Sequence, residues 1–228
     1  MIDDPPLLTV RRRFPRPKPE DLAAFDGALT GHVVDAMGGR GALDHRIKPI
    51  GAAKSFCGTA LTCDAGPADC LAVFGALDVA EPGDVIVCAT DSFANTAVTG
   101  DLLIGMMKNS GIAAFVTDGL VRDTPGIRAV GLPCFASGVT PNSPAKTGPG
   151  MVGFPLIVGG VAVAAGDIVV ADEDGVVIVP FARIGETIRR LADVRAMEAD
   201  LEAKVKAGLK KPDFYSAMIP PSRVREVD

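Results

Sequence analysis

Twice along its length the chain runs from a Gly-Asp pair into an unbroken apolar strand. The two segments are Pro82-Gly83-Asp84-Val85-Ile86-Val87-Cys88-Ala89 and Ala165-Gly166-Asp167-Ile168-Val169-Val170-Ala171-Asp172. Glycine accepts the backbone angles of a tight corner, and a compact β-branched run after it reads as a strand. Two copies do not make a solenoid, which needs more repeats. They imply one sheet-rich core with two similar corners.

The rest of the pattern fits such a core. Pro19-Glu20-Asp21 opens a helix towards Leu29, and Thr30 is placed to cap a second, Gly31 to Met37, which Gly38-Gly39-Arg40-Gly41 ends. Strands are expected at Phe56 to Cys63, Asp84 to Ala89, Ile112 to Thr117 and Leu132 to Ser137. Helices are expected from Pro67 to Leu77 and from Ala97 to Ser110. After Phe154 short strands cluster, with Asp174-Gly175 as a hairpin turn. A long helix then runs from about Ala182 to Gly208. Alternating strands and helices followed by clustered strands predict a layered α/β domain with a mixed sheet. No linker divides the chain, so residues 1–228 read as one domain with a core over about 25–205, a Pro-rich arm before it and a tail after it.

Composition excludes several classes. The chain has 228 residues, 48% of them apolar, enough for a real core and too apolar for disorder. A net charge of −5 leaves little support for nucleic-acid binding. Arg11, Arg12, Arg13 and Arg16 form a local basic patch, but prolines interleave it, and it reads as an extended surface arm packed on a neighbour. No apolar run is long enough to span a membrane, and the acidic, Pro-rich start lacks the pattern of a signal peptide. A cytoplasmic location is expected. Cys57, Cys63, Cys70, Cys88 and Cys134 are odd in number, lack C-x-x-C spacing and read as buried reduced thiols.

Some motifs lead nowhere. Ser143-Pro144-Ala145-Lys146 and Lys146-Thr147-Gly148 match S-x-x-K and K-T-G, but they share one lysine within a proline- and glycine-rich loop. His32 reads as a packed helix residue and His45 as a loop residue. Lys54, Lys108 and Lys146 lie in or beside polar or turn segments, which disfavours a desolvated Schiff-base lysine.

One constellation carries chemistry. Thr99-Gly100-Asp101-Leu102-Leu103 lies near a helix start, where free N–H groups suit a carboxylate ligand. Asp118-Gly119-Leu120-Val121-Arg122-Asp123 follows a strand, at the end where α/β sheets bind ligands. There Asp123 can hold a divalent cation and Arg122 an anion beside it, which is what a 2-oxo acid requires. The bland alternative is a surface ion pair.

Asp101, twenty residues, then Arg122-Asp123 resembles the D-x20-R-D pattern of the RraA-like family. Thr30-x4-Asp35-Ala36-Met37, Gly100-Asp101-Leu102-Leu103, Asp118-Gly119-x2-Arg122-Asp123 and Ala165-Gly166-Asp167 leading to Gly175-Val176-Val177 agree in order, over roughly residues 25 to 205. The resemblance implies a layered β/β/α swivelling-type domain with a long C-terminal helix, assembled as a homotrimer or hexamer with sites between subunits. It also implies Mg²⁺ or Mn²⁺ bound by Asp123, with Asp101 acting through waters and Arg122 stabilising an enolate. The amides of Gly100 to Leu103 would bind the substrate carboxylate, and Glu198 of a neighbouring copy would approach the metal, with Glu202 one turn away as the alternative. The implied activity is cleavage of 4-hydroxy-4-methyl-2-oxoglutarate-like 4-hydroxy-2-oxo acids to pyruvate, with oxaloacetate decarboxylation as a companion. A non-catalytic inhibitor of an endoribonuclease is the alternative within the family. A phosphohistidine carrier of related fold would need a histidine at a strand-to-helix corner, which neither His32 nor His45 supplies.

Overall fold

The computed structural model describes residue 4 and residues 6–227; most of the Pro-rich opening segment lies outside them. The strands are β1 (Leu8–Val10), β2 (Lys48–Pro49), β3 (Phe56–Asp64), β4 (Asp84–Ala89), β5 (Ala97–Thr99), β6 (Ala114–Thr117), β7 (Leu120–Val121), β8 (Cys134–Ala136), β9 (Gly138–Val139), β10 (Gly150–Val152), β11 (Leu156–Val158), β12 (Val161–Val163), β13 (Ile168–Asp172) and β14 (Gly175–Val179). The helices are α1 (Pro19–Ala23), α2 (Thr30–Ala36), α3 (Leu71–Leu77), α4 (Asp101–Asn109), α5 (Thr124–Val130), α6 (Ile184–Lys206) and α7 (Tyr215–Met218). The chain divides into two compact units, Met1–Leu191 and Ala192–Asp228.

In the first unit a nine-stranded mixed sheet runs β1-β10-β3-β4-β6-β8-β2, with β13 and β14 branching from β3. β3, β4, β6 and β8 are parallel, joined through α3, α4 and α5. The sheet's central strands β4, β6 and β8 are buried on both faces, which is why they read as continuous apolar runs rather than alternating ones. Ile86, Cys88, Leu61 and Phe115 face a core shared with α3, α4 and α5. Their neighbours Val85, Val87, Ala60 and Val116 face a second core closed by β11, β12, β13 and β14. This is the layered α/β arrangement expected, with a mixed sheet and a long C-terminal helix.

The two Gly-Asp corners flank β3. Thr59 pairs with Asp84 on one side and with Ile168 on the other. Asp84 and Asp167 are buried and accept backbone N–H groups, Asp84 from Glu81 at 2.9 Å and Asp167 from Ala164 at 2.9 Å and Phe181 at 2.8 Å.

Several boundaries differ from expectation. The first helix stops at Ala23, and Phe25 turns into the core beside the left-handed Gly27. Thr30 does not cap a helix; its N–H and hydroxyl donate to the Asp172 carboxylate at 2.8 and 2.7 Å, tying α2 to β13. The third helix starts at Leu71 rather than Pro67, because Asp69 accepts the Leu71 amide and Ala68 takes a left-handed conformation. The hairpin turn is Glu173-Asp174, one residue earlier than expected, since Asp172 pairs with Gly175. The segment 97–110 is a strand and a helix divided by an extended Gly100.

The arginine-rich arm is extended, as expected, but it packs on its own chain. β1 pairs parallel with β10, and Arg16 reaches Asp84. All five cysteines are free. Burial pushes the Cys134 thiol up to about 12; burial, with Asp26, does the same for Cys57. Such thiols stay protonated and inert. No helix among the described residues is long and apolar enough to cross a membrane.

α6 begins in the first unit, where Ile184, Thr187 and Leu191 are buried. In the second unit its exposed face carries Met197, Leu201 and Val205 at helical spacing. Lys204 bridges Asp200 and Asp213, and Lys206 pairs with Glu202.

Candidate active site

The site is assembled by a second, three-stranded parallel sheet, β5-β7-β9. Each of its short strands follows a strand of the large sheet and leads into a functional segment. β5 follows β4 and ends at Gly100-Asp101; β7 follows β6 and ends at Arg122-Asp123; β9 follows β8 and runs into the loop carrying Ser143 and Lys146. Thr99 and Val121 are in register, and the Arg122 amide donates to the Thr99 carbonyl at 3.0 Å. Three distant segments thus meet at the carboxyl ends of the parallel strands, where α/β sheets place their ligands.

They line a cavity of about 330 Å³, together with Cys70, Phe74, Val98, Leu102, Leu103, Met106 and Pro144. Arg122 Nε forms an ion pair with Asp123 Oδ2 at 3.2 Å, and Nη1 donates to the Ser143 hydroxyl. Both partners of the Arg122–Asp123 pair remain partly exposed. Asp123 is held with φ 59° and ψ 43°, a left-handed conformation uncommon outside glycine, at the start of α5. Strain of this kind persists where surrounding structure fixes it, and it concentrates at functional sites.

Two glycines make room for the two acids. A Cβ on Gly100 would lie 2.4 Å from Asp123 Oδ2, and one on Gly126 would lie 2.1 Å from Asp101 Oδ2. Each carboxylate therefore rests on a glycine in the other's segment. Among the described residues the Asp123 carboxylate is paired with Arg122 while its carbonyl accepts the Ile127 amide, and the Asp101 carboxylate has no hydrogen bond or ion pair. α4 begins at Asp101 with no side-chain cap, and its first carbonyl partner is Gly100, bonded by the Ile104 amide. The earlier amides of the first turn, including those of Leu102 and Leu103, are left for a ligand.

Other motif residues hold the frame. Asp118 is buried and accepts from the amides and hydroxyls of Thr90 and Ser92, while its carbonyl accepts from Ser137. Asp69 anchors the cavity loop, accepting from the amides of Leu71, Thr147 and Gly148. Burial works against its charge, but those amides outweigh it and hold the carboxyl below its usual range. At the cavity wall burial and Asp69 push the Cys70 thiol up, against the opposing pull of Lys146 and Arg122.

Asp101, Arg122, Asp123, Gly100, Leu102 and Leu103 come together as expected. Glu198 belongs to the second unit, exposed on α6, and its carboxylate has no hydrogen bond or ion pair among the described residues, whereas Glu202 is paired with Lys206. Ser143 and Lys146, set aside on sequence grounds as an S-x-x-K coincidence, prove to line the cavity. Lys146 Nζ lies 5.6 Å from the Phe74 ring centre. It is exposed, so it forms a cationic wall rather than a desolvated amine. The proline- and glycine-rich loop was legible, but its approach to Arg122 depends on β9 and had no sequence signal.

A family model described as Aldolase/RraA, RraA-like, matches residues 30–178. A protein of Halalkalibacterium halodurans, provisionally named 4-hydroxy-4-methyl-2-oxoglutarate aldolase, is 37% identical over 82% of this chain and 87% of its own length. The structure of the RNA-processing inhibitor RraA from Thermus thermophilis has TM-score 0.63 and 33% identity, covering 67% of this chain and 93% of that one. Streptomyces coelicolor RraAS2, described as an unusual member of the RNase ES inhibitor RraA family, has TM-score 0.73 and 28% identity, covering 83% and 100%. With the matched region spanning more than half its length, the chain belongs to the RraA-like family.

Proposed function

We propose that this cavity cleaves 4-hydroxy-2-oxo acids of the 4-hydroxy-4-methyl-2-oxoglutarate type to pyruvate and a second 2-oxo acid, and decarboxylates oxaloacetate. The observation that carries the reading is the β5-β7-β9 register, which turns the Arg122–Asp123 ion pair, the unpaired Asp101 carboxylate and open helix amides onto one cavity.

The donor set fits a divalent ion that keeps its waters. Among the described residues no three His, Cys, Asp or Glu cluster, which rules against a closed zinc site. A carboxylate such as Asp123, with a second at Asp101 reaching through water, suits Mg²⁺ or Mn²⁺. When bound, the ion supplies Lewis acidity to the 2-oxo group. The α4 amides at Leu102 and Leu103 receive the substrate carboxylate at the positive end of the helix. Arg122 is held by Asp123 and Ser143, so its charge is fixed before reaction and opposes the negative charge that grows on the enolate oxygen. In the aldol substrate the 4-hydroxyl loses its proton, the C3–C4 bond breaks, and its electron pair passes into the pyruvate enolate, which takes a proton at C3. In oxaloacetate carbon dioxide leaves and the same enolate forms. Lys146 offers a second cation for a distal carboxylate.

The working unit in this reading is a cytoplasmic homo-oligomer, trimer or hexamer, in which Glu198 of a second copy assists the 4-hydroxyl proton transfer. Leu102 at the cavity wall is 78% exposed, and Met197, Leu201 and Val205 form an exposed apolar face, both suited to cover by another copy. Inhibition of an endoribonuclease is the second reading, favoured by the names of the Thermus and Streptomyces relatives. The test is pyruvate release from both substrates with Mg²⁺ and with a chelator. Metal-dependent release supports the enzyme; no release from either, with binding to a ribonuclease, supports the regulator.

A further inference from the structure

The arm of residues 7–17 precedes the residues matched by the family, yet it is stitched to the segments that form one wall of the cavity. The Gly150 amide donates to the Leu7 carbonyl and the Arg11 amide to the Val152 carbonyl, both at 2.9 Å. Arg16 spans both oxygens of the buried Asp84, at 2.6 and 3.0 Å, and approaches Glu81 at 3.4 Å. Arg12 pairs with the Asp78 carboxylate and donates to the Asp78 carbonyl at 3.1 Å, at the C-terminal end of α3. A cation there complements the negative end of the helix.

Two contacts carry the arm's position towards the site. Gly75, a poor helix former inside α3, leaves a space that Leu8 fills; a Cβ there would lie 3.0 Å from Leu8 Cδ1. α3 carries Phe74, and Cys70 sits at its N-cap; both line the cavity. A Cβ on Gly148 would lie 2.6 Å from the Leu7 carbonyl oxygen. Gly148 directly follows Ser143–Thr147, the loop that presents Ser143 to Arg122 and Lys146 to the cavity. Asp69 holds this loop from within, and the arm holds it from without.

We propose that the arm is a strap whose anchors, Arg12 and Arg16, are positioning residues: they set Phe74 and Lys146, the walls away from Arg122, and so determine affinity for the 2-oxo acid. The kinetic part rests on the function proposed above. The strap itself does not, and the two are tested separately. Wall contacts made equally in ground and transition states govern KM rather than kcat.

The experiment uses the full chain with Arg12→Ala, and with Arg16→Ala combined with Asp84→Asn so that no buried charge is left unpaired. Hydrogen exchange, read without ligand, should quicken at residues 143–153 and 70–78 in both variants, as expected when a local opening becomes easier. KM should rise about tenfold with kcat within about threefold, while Mg²⁺ affinity stays unchanged. Oxalate affinity measured by calorimetry should fall in parallel with the rise in KM. Unchanged exchange overturns the strap. Quickened exchange with unchanged KM and unchanged oxalate affinity overturns the positioning role. A parallel loss of kcat, KM, metal affinity and melting temperature also overturns it, since that marks a general loss of structure. If the double variant fails to fold, Arg12→Ala, whose pair lies at the surface, decides alone. If the wild type releases no pyruvate, the proposed function fails while exchange and oxalate affinity still judge the strap.

Discussion

Gly100→Ala probes the site without replacing a charged residue. Gly100 has φ −140° and ψ −173°, extended backbone that alanine adopts freely, so the substitution adds contact and not strain. Its Cβ would lie 2.4 Å from Asp123 Oδ2, with Arg122 Cγ at 3.2 Å and Nε at 3.3 Å. An ordinary carbon–oxygen contact is about 3.3 Å, so the carboxylate must retreat by about 1 Å. The clashing oxygen is the end of a partly exposed side chain rather than backbone, so the fold should tolerate this, with a melting shift under about 4 °C. The site should not. A misplacement of about 1 Å costs up to about 100-fold in rate, equivalent to about 2.7 kcal/mol. The assay is steady-state pyruvate release with Mg²⁺ affinity by calorimetry. Wild-type turnover and metal affinity in Gly100→Ala would refute the placement of the metal on Asp123. A variant that unfolds would show the contact to be structural.

Gly126→Ala should displace Asp101, whose Oδ2 lies 2.1 Å from the added Cβ, and lower activity; it should bring none of the gain, up to about 1 kcal/mol, usual for glycine-to-alanine in a helix. Glu198→Ala should harm the aldol reaction more than oxaloacetate decarboxylation, since only the aldol substrate carries a 4-hydroxyl proton; equal losses in steady-state kinetics count against that role. Asp69 and Asp172 are held below the usual carboxylate range, so their stability is present above about pH 4 and lost as pH falls through their lower folded values. Asp69→Asn should flatten the acid side of a urea-melt stability profile, and an unchanged profile contradicts this. Sedimentation should find an oligomer, and a fully active monomer contradicts the assembly.

The centre of the large sheet was legible because β4, β6 and β8 are buried on both faces and therefore read as largely apolar runs; Asp84 to Ala89 is found with the expected bounds. The small sheet was not. β5, β7 and β9 span three, two and two residues, too short for any periodicity, and Ala97–Thr99 merged with the helix that follows. Yet these strands bring Arg122 beside Gly100. Asp101 and Arg122-Asp123 were legible by spacing and chemistry, whereas Ser143 and Lys146 were not, because their loop reaches the cavity through tertiary contacts, among them those with Asp69 and Arg122. What the arm packs on was not legible for a similar reason. An arginine- and proline-rich stretch is exposed by composition, and nothing local shows that Arg16 meets a buried Asp84 sixty-eight residues away.

The division of labour between Arg122 and Asp123 tests the central claim most directly. Mg²⁺ binding by calorimetry and pyruvate release are measured together for Arg122→Ala and Asp123→Ala. Asp123→Ala should lose metal binding and turnover at once. Arg122→Ala should keep metal affinity and lose roughly 10²–10³ in turnover, about 3–4 kcal/mol, because the guanidinium opposes charge that develops only as the enolate forms. Near-normal turnover in Arg122→Ala, or metal binding retained in Asp123→Ala, would contradict the account.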